Sequence, residues 1–204
     1  MAEGAPYEVT KSRVHFTGRV ISLVSDEVVM PDGATVVRDY IHHPGAVGIV
    51  ALDESDRVLL VHQYRHPVRR KLWEIPAGLL DVSDEPPLAA ARRELHEEGA
   101  IIADRWDLLL DTYNTPGSSD EAIRIFLARD VQPVADAERY VGEAEEAGME
   151  LRWVDLDEAV SWTMCGRILN AMCSLGVLAA AHARSGGWSG LRPADFPWPP
   201  PVDS

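Results

Sequence analysis

Across residues 19–43 apolar and polar positions alternate with a period of two, the pattern of a strand buried on one face. The alternation breaks at MPDGA, where Asp32 and Gly33 are turn residues, so the segment is predicted to be a β-hairpin. GAVGIVALDESDRVLLVHQYRH, residues 45–66, repeats the theme as two apolar strands around DESD. Two further strands, RWDLLLDTY and AIRIFLARD, are joined by the turn chemistry of NTPGSSDE, and MELRWVDL is a short strand after a polar, acid-rich loop over 134–148. Helical spacing takes over twice. The first helix is predicted to begin at Asp84 or Glu85, which can cap free N–H groups, with Pro86 and Pro87 in its first turn. It runs to about Glu98 with Leu88, Ala91 and Leu95 as its buried stripe. The second is one long helix from Asp157 to about Ser185, with Ile168, Met172, Leu175 and Leu178 on its apolar face. The tail FPWPPPVDS reads as extended, and no internal repeat is present. Strands with one inserted helix and a C-terminal helix predict a mixed-sheet α/β or α+β fold rather than strict strand and helix alternation.

Composition narrows the functional classes. The chain has 204 residues, 46% of them hydrophobic, enough for one domain with a sizeable core or a domain plus an extension. A formal net charge of −14 disfavours nucleic acid and anionic membranes as partners and suits divalent cations. Cys165 and Cys173, read as lying in one helix, would have Cα atoms about 12 Å apart, too far for a disulfide. Free thiols, the lack of an apolar leader and the lack of a membrane-length run together predict a cytoplasmic protein.

The first helix carries an electrostatic oddity. Glu94, Glu97 and Glu98 share one face, where each like-charged neighbour at that spacing costs about 0.2–0.5 kcal/mol. They also crowd the helix C-terminus, where the macrodipole favours cations. Acids on a helix are most often a solvated face. Here Glu94 and Glu98 flank the buried stripe, and Gly78 marks a tight turn just upstream, from which a carbonyl such as that of Ala77 could face the same cation. Carboxylates plus a carbonyl make a hard oxygen site suited to Mg²⁺ or Mn²⁺. RHPVRRK, residues 65–71, is a basic cluster in an acidic chain. As a group it could hold ligand phosphates or carboxylates, Arg65 being the best candidate because a guanidinium grips them bidentately, although an exposed loop explains each cation singly as well. The seven histidines show no metal-ligand spacing, the cysteines have no nucleophile context, and Trp153 and Trp162 read as core.

Gly78, Glu85, Arg93-Glu94-Leu95 and Glu97-Glu98 resemble the signature box of the Nudix hydrolases, which cleave nucleoside diphosphates linked to another group. GAVGIVALD, QYRHP, LWEIPAGLLD and TPGSSDE extend the likeness toward the ADP-ribose pyrophosphatase branch, in which a proline about sixteen residues past the box goes with ADP-ribose use; Pro116 stands there. The resemblance implies a Nudix-like α/β/α sandwich with a mixed sheet over 44–188, preceded by an N-terminal strand region over 1–43 and followed by a proline-rich tail over 189–204. It implies Mg²⁺-dependent, or Mn²⁺-dependent, hydrolysis of ADP-ribose to AMP and ribose 5-phosphate. The alternatives are another nucleoside diphosphate sugar, or ADP-ribose sensing without turnover. By the same resemblance Glu94 and Glu98 bind metal directly, Glu97 assists through water or a shared metal, the Ala77 carbonyl completes the site, and Arg93 holds a box glutamate in place. Arg65 and Glu74 match substrate-contacting positions, and Tyr113, Pro116 and Ser118 shape the pocket wall. The general base falls on the acidic loop before MELRW, where position favours Glu146, with Glu145 the close alternative and Glu143 a third candidate. Related pyrophosphatases are homodimers that exchange N-terminal strands. The box departs from the family pattern twice. The interval from Gly78 to Glu85 is one residue longer, and the paired glutamates are followed by Gly99-Ala100 rather than by any residue and then glycine, so Gly99 is expected to end the helix in the left-handed conformation one position early.

Overall fold

A computed structural model describes residues 7–135 and 149–198. The chain divides into two compact units, residues 1–45 with 113–122, and residues 46–112 with 123–204.

The first unit is an antiparallel meander of β1 (Glu8–Thr17), β2 (Ser22–Val29) and β3 (Thr35–His42). The expected hairpin is β2 and β3, in register from Val29 opposite Thr35 to Ser22 opposite His42. Its turn is closed by the Gly33 N–H to the Met30 carbonyl at 2.8 Å, with Gly33 at φ 82° and the Asp32 carboxylate accepting from the Ala34 N–H. β1 was not assigned from the sequence, because its apolar residues are few and irregularly spaced; it pairs with β2 through two register shifts. All of β1 is exposed, and Val24 is the only buried apolar side chain of the three strands. Residues 113–122 add to this unit: the Ile41 N–H donates to the Ser118 carbonyl, and His42 Nδ1 and the His43 N–H both meet the Asp120 carboxylate.

The second unit holds two sheets. β4 (Ala46–Ala51), β7 (Ala77–Leu79), β8 (Ile101–Tyr113), β9 (Ala122–Pro133) and β11 (Arg192–Pro193) form a mixed sheet of order β11-β8-β9-β4-β7, with β4 parallel to β9. β5 (Arg57–Arg65), β6 (Arg70–Glu74) and β10 (Glu150–Asp155) form an antiparallel sheet of order β10-β5-β6. The two strands around DESD therefore belong to different sheets, bridged where Leu52 meets Val58, a correction to their reading as a repeat of the hairpin. β4 is apolar throughout because both its faces are covered. Val47, Ile49 and Ala51 pack with Ala90, Ala91 and Leu95 of α1 (Pro87–Gly99), whereas Ala46 and Val50 join the cluster of Trp162, Met172, Cys173 and Val177.

The helices correct the sequence reading in detail. α1 starts after Pro86, which caps it through backbone geometry with no side-chain bond, so neither Asp84 nor Glu85 is the cap. Leu88 lies at the margin of the buried stripe, and Ala90 takes its place within it. The single long C-terminal helix is two, α2 (Leu156–Met164) and α3 (Ala171–Ser185). Cys165 terminates the first, and Asn170 caps the second by accepting the Cys173 N–H at 2.9 Å. The cysteines thus sit in separate elements, both as free thiols, and burial pushes the Cys173 thiol well above its ordinary range. Ile168 is buried in the connection, and α3 buries Met172, Cys173, Gly176, Val177 and Ala180 while Leu175 and Leu178 stay exposed. α3 is apolar on more than one side, so spacing alone selected the wrong stripe. Among the described residues no helix is long and apolar enough to cross a membrane.

Candidate active site

The carboxylates of α1 are gathered around one guanidinium. Arg93 sends Nε and Nη2 to the two oxygens of Glu85 at 3.1 and 2.9 Å, a bidentate pair. Its Nη1 reaches Glu94 at 2.6 Å and Glu97 at 3.3 Å. The hydrogen bonds to Glu85 raise the Arg93 pKa well above its ordinary value against the burial that lowers it, and the same contact holds the Glu85 carboxyl below the usual carboxylate range. The sequence assigned Arg93 one glutamate; it holds three. Glu98 faces β7, where its Oε2 accepts the Ala77 N–H at 2.9 Å. Glu94 lies against Gly78 so closely that a Cβ added there would fall 2.0 Å from its Oε1. β7 and α1 therefore bring Ala77, Glu94 and Glu98 together, with Glu97 on the flank through Arg93.

Among the described residues no three His, Cys, Asp or Glu side chains converge closely enough to hold a metal ion as they stand. Arg93 and the β7 amide instead neutralise the crowded acids. The donor atoms are all hard oxygens, and Gly78 leaves the Glu94 side without a side chain in the way, so the residues fit a divalent cation.

Arg65 and Glu74 meet each other. Glu74 is fully buried, and Arg65 covers it with Nε at 3.0 and 3.1 Å and Nη2 at 2.6 Å, while Gln63 Nε2 lies at 3.4 Å. The fork expected to grip a ligand is thus turned toward a buried carboxylate, whose burial would be costly without such a partner. Arg69, Arg70 and Lys71 are exposed around the 3-10 turn His66–Val68. In the first unit Tyr113, Pro116 and Ser118 line a cavity of about 430 Å³ together with Arg38, Tyr40 and Asp120. Arg38 and Tyr40 were missed because they read only as members of an alternating strand. Burial and the neighbouring Asp26 carboxylate raise the Tyr40 hydroxyl pKa. Glu143, Glu145 and Glu146 lie outside the described residues.

The NUDIX domain model matches residues 42–171, which include every described member of the α1 cluster. The chain belongs to the Nudix family. It is 42% identical to an ADP-ribose pyrophosphatase of Mycobacterium tuberculosis over 94% of this chain and 91% of the relative. An ADP-ribose pyrophosphatase of Bacillus subtilis is 35% identical over 71% of this chain and 76% of its own. A methanol dehydrogenase activator of Bacillus methanolicus is 32% identical over 82% and 88%. A crystal structure of an ADP compounds hydrolase superposes with a TM-score of 0.76 over 92% of this chain and 98% of its own, at 17% identity, and so supports the Nudix fold. The chain is accordingly a Nudix pyrophosphohydrolase, and enzymes of this family generally use divalent metal ions.

The two departures from the Nudix box fall at unusual backbone positions. Asp84, within the longer interval, adopts φ 60° ahead of the helix. At the other end Gly99 stays helical, and Ala100, at φ 51°, takes the left-handed position and donates its N–H to the His96 carbonyl. This corrects the expectation for Gly99, where an added Cβ would make a tight contact 3.0 Å from Leu59 Cδ2. An L-residue in the left-handed region is strained by roughly 1–2 kcal/mol relative to glycine. After the entropy that glycine loses on folding, Ala100→Gly should raise stability by about 0.5–1 kcal/mol, read as a higher urea midpoint at unchanged slope. A lower midpoint would mean that the alanine methyl makes packing contacts outweighing the strain. Gly78→Ala has the opposite consequence. Its Cβ cannot coexist with the Glu94 carboxylate, so Glu94 must turn away, and turnover should fall at least tenfold with Tm nearly unchanged. Unaltered turnover would show that the position of Glu94 is immaterial to the chemistry.

Proposed function

We propose that this Nudix enzyme hydrolyses ADP-ribose to AMP and ribose 5-phosphate, with Mg²⁺ as its working ion and Mn²⁺ as a substitute. The observation that carries the substrate is the 42% identity to an ADP-ribose pyrophosphatase across nearly the whole of both chains. Glu94 and Glu98 would hold the cation, Glu97 would assist from the Arg93 network, and the Ala77 carbonyl would complete the oxygen set. A bound cation offsets diphosphate charge and lowers the pKa of water. Arg93 keeps the box acids in place, and Arg65, partly exposed and held by the buried Glu74, would offer its cation to the substrate with Glu74 fixing its position. Tyr113, Pro116 and Ser118 contribute the pocket wall, and Glu146, or Glu145, takes the proton from water as its oxygen attacks phosphorus and the bridging P–O bond breaks. The test is to incubate the purified protein with Mg²⁺ and a panel of nucleoside diphosphate compounds and to identify the released monoesters. AMP and ribose 5-phosphate in equal amounts are expected. Faster cleavage of another nucleoside diphosphate sugar would replace the substrate, and tight ADP-ribose binding without cleavage would make the protein a sensor.

We further infer a homodimer in a reducing, cytoplasmic setting. The β1 to β3 sheet exposes Val14, Phe16, Leu23 and Val37, and such an apolar, open-edged sheet is a natural surface for a second copy. Both cysteines are free. Light scattering should give twice the chain mass; a fully active monomer would exclude the dimer.

A further inference from the structure

β8 and β9 are tied together at one end by a charged cluster that the C-terminal segment completes. Arg124 of β9 is almost wholly buried, with its side chain 2% exposed. Its Nε and Nη2 hold the two oxygens of Asp111 on β8 at 2.7 and 3.2 Å. Two more donors go to main-chain carbonyls: Nη1 to Phe196 at 2.6 Å and Nη2 to Pro197 at 2.9 Å. The Trp198 ring lies 4.8 Å from the guanidinium carbon. Arg192, beside β8 in β11, adds Nη1 to Asp111 at 3.0 Å and stacks on Phe196. A buried guanidinium left short of acceptors is strongly destabilising, so residues 192–198 are a working part of the environment of Arg124 rather than a loose tail.

The place of this cluster in the chain gives it a consequence. Asp111 lies two residues before Tyr113, and Arg124 lies two residues after Ala122. The intervening segment carries Tyr113, Pro116 and Ser118, which line the cavity described above. We propose that Arg124 is a positioning residue for the substrate: with Asp111 and the Phe196 and Pro197 carbonyls it forms a clasp that pins the ends of β8 and β9 and so fixes residues 113–122 for nucleotide recognition. The proposal rests on the ADP-ribose reading for its substrate, but its physical core, an ordered 113–122 segment, can be measured without turnover.

The experiment compares the parent with Arg124→Met, with Arg124→Lys, and with a Phe196→Ala, Trp198→Ala double variant that leaves the arginine and aspartate pair intact and loosens the C-terminal side. Steady-state kinetics with ADP-ribose and amide hydrogen exchange over 113–122 and over α1 are read on each. In Arg124→Met, KM should rise about tenfold with kcat within twofold of the parent, because loosening residues 113–122 weakens substrate positioning. Arg124→Lys should not restore KM, since a lysine cannot make the fork. Amides of 113–122 should exchange at least tenfold faster, with α1 unchanged. The double variant should move both readouts in the same direction, and it carries the test should Arg124→Met fail to fold. A lower Tm with parental KM and parental exchange over 113–122 would overturn the proposal and leave Arg124 as a buried structural pair. If the parent itself releases no AMP, the ADP-ribose reading fails, and the exchange data alone decide the clasp.

Discussion

Glu98→Gln is expected to lower turnover by about a thousandfold or more at saturating Mg²⁺ while the protein remains folded. The substitution is nearly isosteric, and the glutamine carbonyl can still accept the Ala77 N–H that Glu98 Oε2 accepts at 2.9 Å, so the junction of α1 with β7 persists. What disappears is a negative charge beside Glu94 and Glu97. If that charge is a ligand to a catalytic cation, its loss removes several kcal/mol of transition-state stabilisation, and each 1.36 kcal/mol is about tenfold in rate. The metal-free protein should by contrast gain a few tenths of a kcal/mol, because one like-charge contact on the helix is relieved. Melts with and without Mg²⁺ and turnover on the same sample separate the two effects. Added Mg²⁺ should stabilise the parent more than the variant. Parental turnover in the variant would remove Glu98 from the metal set.

Glu146→Gln is expected to lower turnover by about 10²–10⁴-fold, the usual worth of a general base, with KM changed much less. With Glu94, Glu97 and Glu98 proposed for the cation, proton removal falls to a carboxylate elsewhere, and the acid-rich stretch before MELRW supplies three. Comparing Glu143→Gln, Glu145→Gln and Glu146→Gln across pH identifies the base. The affected variant should lose the acidic limb of the parental profile, whereas Glu145→Gln alone showing that loss would shift the role by one residue. Parental turnover in all three would place the base outside this stretch.

The parts of this protein legible in its sequence are those that local geometry enforces. Residues three or four apart on an α-helix share a face whatever surrounds them, so Glu94, Glu97 and Glu98 could be placed together from spacing alone, whereas Gly78 entered as an upstream turn and through the family resemblance. The β2 and β3 hairpin was legible for the same reason, since a two-period pattern and an Asp-Gly turn are short-range features. Helix ends were less so. The box spacing put the left-handed residue at Gly99, whereas the helix runs through that glycine and Ala100 takes the left-handed conformation.

What lay beyond the sequence was the choice of partner among distant groups. Nothing local says that Arg93 will hold Glu85 as well as Glu94 and Glu97, that the Arg65 fork will turn to Glu74, or that β4 and β5 will enter different sheets. The face of α3 was undecided for a related reason: several of its sides are apolar, and only the layer it meets selects Met172, Cys173 and Val177 over Leu175 and Leu178. The strongest case is Arg124, an arginine in an apolar strand whose burial is possible only because Asp111 and two carbonyls more than seventy residues away converge on it. The sequence by itself determined the grouping of Glu94, Glu97 and Glu98, because helical geometry binds them to one another. Only the tertiary structure decided what neutralises the buried charges, because desolvation makes their partners obligatory without saying where in the chain they lie.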